Sequence, residues 1–169
     1  MTGIWTIGRE REKAHAIKFI RNVNEHTLIF DVIDAVENIK AGDRDLHLFT
    51  NAAIHAFVNG GRAVWGQTAN WVRKVGKHHP QVHAIWDELA KRPISEVRWR
   101  VACVLYHDIP ERQSHYLFDR LRLDKSKRVR QIAISRYEHT ADAKGLAERT
   151  RSAGEFDLAR AIAELDARE

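Results

Sequence analysis

The sequence predicts an all-α fold built from antiparallel helix pairs stacked side by side. Three observations predict it. Apolar residues recur at three- and four-residue spacing along most of the chain, and no stretch shows the two-residue alternation of a half-buried strand. Helix-length segments are separated by short breaks containing glycine, proline or aspartate. The chain also matches itself when one copy is displaced by 32 residues.

The elements follow in order, and the reading gives about ten helices. A first helix is expected over residues 9–22, with Ala14, Ile17 and Ile20 as its apolar stripe. A second covers 27–40 through Ile29, Val32, Ile33 and Val36. Ala41-Gly42-Asp43 ends it, and Asp43 or the polar residues after it cap the next helix. The third runs through Leu46, Phe49, Ala53, Ile54 and Phe57 until Asn59-Gly60-Gly61 breaks it, and the fourth carries Trp65, Ala69, Val72 and Val75. Pro80 opens the fifth, where a missing backbone donor costs nothing. Pro93 stops that helix, Ser95 caps the sixth, and Pro110 opens the seventh. Asp124-Lys125-Ser126 precedes the eighth, and two more helices are expected over 140–151 and 155–168. Residues 1–169 are read as a single repeat domain. Its clearest units are 80–109 and 110–139, with capping helices at 1–40 and 140–169.

The composition is globular, with 44% hydrophobic and 30% charged residues. Cys103 is the only cysteine, so no disulfide forms within the chain. No segment reads as a signal peptide or a membrane span, and the expected setting is cytoplasmic, away from membranes. The net charge is +5, unevenly spread: residues 91–136 hold twelve Lys/Arg against five Asp/Glu, and 138–169 hold five against eight. A basic block of this kind suits an acidic or polyanionic partner, or a surface that compensates itself.

The 32-residue displacement lays Gln81 over Gln113, His83 over His115, Asp87 over Asp119, Leu89 over Leu121, Val97 over Val129 and Arg98 over Arg130. Ile85 lies over Leu117, Trp86 over Phe118 and Val101 over Ala133. One helix pair cannot cover both of its apolar stripes, so such units must stack. The segment from Asp124 through Val129-Arg130 to Ala133 resembles the turn and second helix of HEAT (armadillo-type) repeats. The preceding unit departs from that pattern, with Arg92 in place of the turn aspartate and Val101 in place of the alanine. The resemblance implies an α-α superhelix used as a binding scaffold. It also implies that Arg98 and Arg130 pair with a turn aspartate of a neighbouring unit.

The candidate binding residues are Arg98, Trp99, Arg100, Tyr106, Arg128, Arg130 and Arg136. Guanidinium groups on second helices can take carboxylates or phosphates in bidentate fashion. On a helical wheel Trp99, Cys103 and Tyr106 fall opposite Val97 and Val101, where aromatic area beside arginine suits a protein hot spot or base stacking. The alternative for that face is burial against a neighbouring helix. His79 and His83 stand four apart, but His79 precedes Pro80, no Glu lies between them as in the metalloprotease motif, and the repeat of His83 at His115 points to packing rather than metal. Tyr106-His107-Asp108 resembles the His-Asp signature of HD-type metal phosphohydrolases. That chemistry would need a further His, such as His55 or His83, and a further Asp, such as Asp142 or Asp157. No catalytic residue, cofactor or metal site is assigned from the sequence.

The leading expectation is a non-enzymatic scaffold that binds an acidic protein through a basic, aromatic-containing surface. Three alternatives stay open: nucleic-acid binding in the manner of HEAT-like alkylpurine DNA glycosylases, an immunity or adaptor role, and the HD-type hydrolase.

Overall fold

The structure is a computed structural model that describes residues 4–105 and 109–152, with side chains described as far as His139. Among the described residues every regular element is helical: eight α-helices and two 3-10 turns. The chain divides into two compact units, residues 1–93 and 94–169.

The first unit holds α1 (Arg9–Ala16), α2 (His26–Lys40), α3 (His47–Asn59), α4 (Arg62–Gly76) and α5 (Ala84–Ala90), with 3-10 turns at Val23–Glu25 and Pro80–His83. The spacing of Ile29, Val32, Ile33, Val36 and Ile39 gives α2 one continuous apolar face, and all five are buried. Phe49, Ala53 and Phe57 of α3 and Val64, Val72 and Val75 of α4 are buried as well. Phe57 meets Trp86 of α5 edge to face, with ring centroids 5.6 Å apart. The corner after α2 is a Schellman-type stop. Gly42 has a φ of 110°, and the amides of Gly42 and Asp43 bond back to the carbonyls of Ile39 and Asn38. The approach to α3 is built by two aspartates in series: Asp43 accepts from the Asp45 amide and Asp45 from the His47 amide, each at 2.9 Å.

The second unit holds α6 (Ser95–Cys103), α7 (Glu111–Leu121) and α8 (Lys127–Ser152). Val97, Val101 and Ala102 of α6, Leu117 and Leu121 of α7, and Val129 and Ala133 of α8 form its core.

Four of the sequence-matched pairs are buried alike: Ile85 with Leu117, Leu89 with Leu121, Val97 with Val129, and Val101 with Ala133. Three are not. Trp86 and His83 are buried, whereas Phe118 is half-buried against Tyr137 and His115 is exposed. Arg98 is buried and Arg130 only half-buried.

Several expected boundaries move. The first helix stops at Ala16, six residues early, because the amides of Lys18 and Phe19 reach back only three residues and the chain unwinds. Its buried residues are Glu12 and Ala16, while Ala14 and Ile17 are exposed. Ser95 lies inside α6, with Ile94 at the cap position and no side-chain cap. The expected eighth and ninth helices are one, α8, since residues 127–140 contain neither glycine nor proline to stop it. The tenth, at 155–168, lies outside the described residues.

Candidate functional site

The site is built on the seam between α6 and α8. Val97 and Val101 face the core from α6, and Val129 and Ala133 face it from α8. From α8 the long Arg128 side chain reaches past the seam to Glu96 and Trp99 of α6, at its margin. The seam is locked by the turn before α8. Arg98 donates from Nε and Nη2 to the two carboxylate oxygens of Asp124 at 2.6 and 3.1 Å. Asp124 Oδ1 also accepts from the Ser126 amide at 2.8 Å. Arg130 donates from Nη1 to the carbonyls of Asp124 and Lys125 at 2.6 and 3.1 Å, closing the same turn from the other side. Hydrogen bonding to Arg98 is the largest influence on the Asp124 carboxyl and holds its pKa below the ordinary value, with burial opposing.

At the margin, the Arg128 guanidinium lies over the Trp99 ring, 3.9 Å from its centroid. Arg128 Nη1 also reaches Glu96 Oε2 at 2.9 Å. Arg100 approaches the other oxygen of the same carboxylate, Nε to Oε1 at 3.8 Å. Two guanidinium groups thus converge on one carboxylate beside an indole face. Arg128 is 61% exposed and Glu96 43%, so solvent reaches the arrangement, whereas Arg100 is 13% exposed and held in place.

The structure brings together three of the seven sequence-predicted residues: Trp99, Arg100 and Arg128. Arg98 and Arg130 are occupied in the turn: Arg98 takes the Asp124 carboxylate, whereas Arg130, expected to pair with a turn aspartate as well, takes the backbone carbonyls of Asp124 and Lys125 instead. Arg136 is exposed on α8, about 12 Å along the axis from Arg128. Tyr106 lies outside the described residues, and α6 ends at Cys103, so the expected wheel does not extend that far. Cys103 itself is buried rather than sharing an exposed face with Trp99.

Glu96 was not foreseen, because an acidic residue in the first turn of a helix reads as a complement to the helix dipole. Sequence reasoning also missed a second aromatic group, in which Phe118 and Tyr137 stack at 4.0 Å and the Tyr137 hydroxyl bonds His115. A shallow groove of about 430 Å³ between α2 and α3 was missed as well. Asp31, Asp34, Asn38, Leu48, Asn51 and His55 line it. Their three- and four-residue spacing on two consecutive helices was a readable signal. Its inner carboxylate, Asp34, is already paired with Lys13 at 2.8 Å and Arg9 at 3.5 Å.

Among the described residues no group of three His, Cys, Asp or Glu side chains is placed to hold a metal. His83 is packed onto Gly76, and His55 lies in the α2–α3 groove. His107, Asp108 and Asp157 lie outside the described residues, as does the Asp142 side chain. No helix among the described residues is long and apolar enough to cross a membrane.

Fold and site together define an all-α chain carrying a half-exposed guanidinium–indole–carboxylate cluster. Comparison with known protein families, curated proteins and solved structures finds no match for this chain.

Proposed function

We propose that the chain is a HEAT-like helical-repeat module that holds an acidic segment of a partner protein, without catalysis, on the face formed by α6 and α8. The observation that carries the reading is the Arg128 guanidinium laid over Trp99 while it shares Glu96 with Arg100. An indole with an arginine on its face offers apolar area and charge at one point, the combination that concentrates binding energy at protein interfaces. Two features support the HEAT-like reading of the scaffold. One is the buried Arg98–Asp124 pair, and the other is the shared burial at four repeat-matched positions. A cytoplasmic setting fits a chain whose single cysteine, Cys103, is buried.

Nucleic-acid binding is the second reading. It is favoured by Arg112, Lys125 and Lys127, which add exposed positive charge to this unit. Calorimetric titration at two salt concentrations separates the two. An oligo-glutamate peptide should bind the wild-type protein, and Trp99→Ala and Arg128→Ala should each weaken it about tenfold. Binding of single-stranded oligothymidylate instead, with a steep loss between about 50 and 200 mM salt and no dependence on Trp99, would transfer the case to the second reading.

A further inference from the structure

Glu96 sits where an external anion would sit. Its two oxygens divide between Arg128 at 2.9 Å and Arg100 at 3.8 Å, beside the ring of Trp99. The other carboxylates that pair with cations in this unit do so differently. Asp124, with its side chain 8% exposed, takes Nε and Nη2 of one guanidinium. Asp119 pairs with Arg122 three residues on, and Glu111 Oε1 lies 3.8 Å from His115 Nε2 on the same helix. Glu96 alone, among the described residues of 94–139, joins arginines of two different helices, and it does so where solvent reaches it.

We infer that Glu96 is a tethered stand-in for the partner's carboxylate: the site takes one Asp or Glu side chain of an acidic segment between Arg100 and Arg128, and Glu96 competes with it. This rests on the acidic-partner reading above. Chemistry favours a carboxylate ligand, since Arg128 hydrogen-bonds one oxygen of the Glu96 carboxylate while the charge of Arg100 stands 3.8 Å from the other. Glu96 holds Arg128 beside the indole and offsets one of the two positive charges. A partner's carboxylate must displace Glu96 or share the arginines with it, so the site discriminates against weakly acidic segments.

The consequence runs against the usual effect of deleting an ion-pair partner. Glu96→Gln keeps the size and shape of the side chain and removes its charge. It should bind an oligo-glutamate peptide about two- to fivefold more tightly than wild type, the span of a half-exposed ion pair. Glu111→Gln makes the same change in net charge at a carboxylate that touches neither Arg100 nor Arg128, and it should leave affinity unchanged. Adding Arg128→Ala to Glu96→Gln should abolish the gain. If the wild-type protein binds the peptide but Glu96→Gln binds it equally or less well, the inference fails and the acidic-partner reading survives. A gain in Glu111→Gln equal to that in Glu96→Gln has the same meaning, because net charge alone would then explain both. If neither the wild type nor Glu96→Gln binds the peptide, the reading and the inference fall together.

Discussion

Arg98 carries its charge into a place water barely reaches, with its side chain 7% exposed and that of Asp124 8%. Burial of two ions is offset here by two charge-assisted hydrogen bonds between them and a third from the Ser126 amide. Removing one partner leaves the other charge stranded. Asp124→Ala should therefore cost about 3–5 kcal/mol at pH 7, measured by denaturant unfolding. The pH dependence has a definite sign. The Asp124 pKa is lower in the folded chain than unfolded, first through its hydrogen bond to Arg98. The contribution is therefore full above the ordinary carboxylate pKa of about 4 and is lost as pH falls below it. Wild type should lose stability through that acid range, and Asp124→Ala should show a flatter profile there; identical profiles would contradict the assignment. The Arg98 pKa is raised, so the guanidinium stays charged throughout. This pair was legible in the sequence, because an arginine and a turn aspartate stand at positions the HEAT-like pattern reserves for them. The Trp99–Arg128 contact was not. Both residues were singled out, but their meeting depends on the register of α6 against α8, which neighbouring residues do not encode.

At the scale of elements, the passage from α4 to α5 turns on an absent side chain. A Cβ at Gly76 would stand 2.3 Å from Nε2 of His83, a buried ring that closes the Pro80–His83 turn. Gly76→Ala should cost about 1–3 kcal/mol through overpacking, more than the ~1 kcal/mol of helix propensity it gains. In the His83→Ala background the same substitution should cost little or become stabilising, and a double-mutant cycle of thermal melts checks the coupling. Strict additivity would mean the ring does not meet the new methyl group. Helices α2, α3 and α4 were readable from apolar periodicity, and their ends from Gly42, Gly60 and the aspartates before His47. The length of α8 was not. The 32-residue displacement imposed a turn near residue 139, but the chain there has no residue able to make one. The end of α1 was hidden for the opposite reason. Ile17 and Ile20 keep a helical spacing, yet only Ile20 is buried, so the pattern of the stripe continues past the helix that should carry it.

At the scale of the molecule, each unit keeps its own apolar core. Residues 94–139 contain ten Lys/Arg and six Asp/Glu, a modest excess partly spent on internal pairs. A field of that size steers an acidic partner without holding it, so affinity must come from a local contact. The central claim is that this contact is the Trp99–Arg128 cluster. The most direct measurement is a titration of the isotopically labelled protein with an oligo-glutamate peptide, followed through backbone amide and tryptophan indole resonances. The account predicts shifts concentrated at the Trp99 indole and the amides of Arg100 and Arg128, with α2 and α3 unmoved. Shifts confined to the groove lined by Asp31 and His55, or none at saturating peptide, would contradict it.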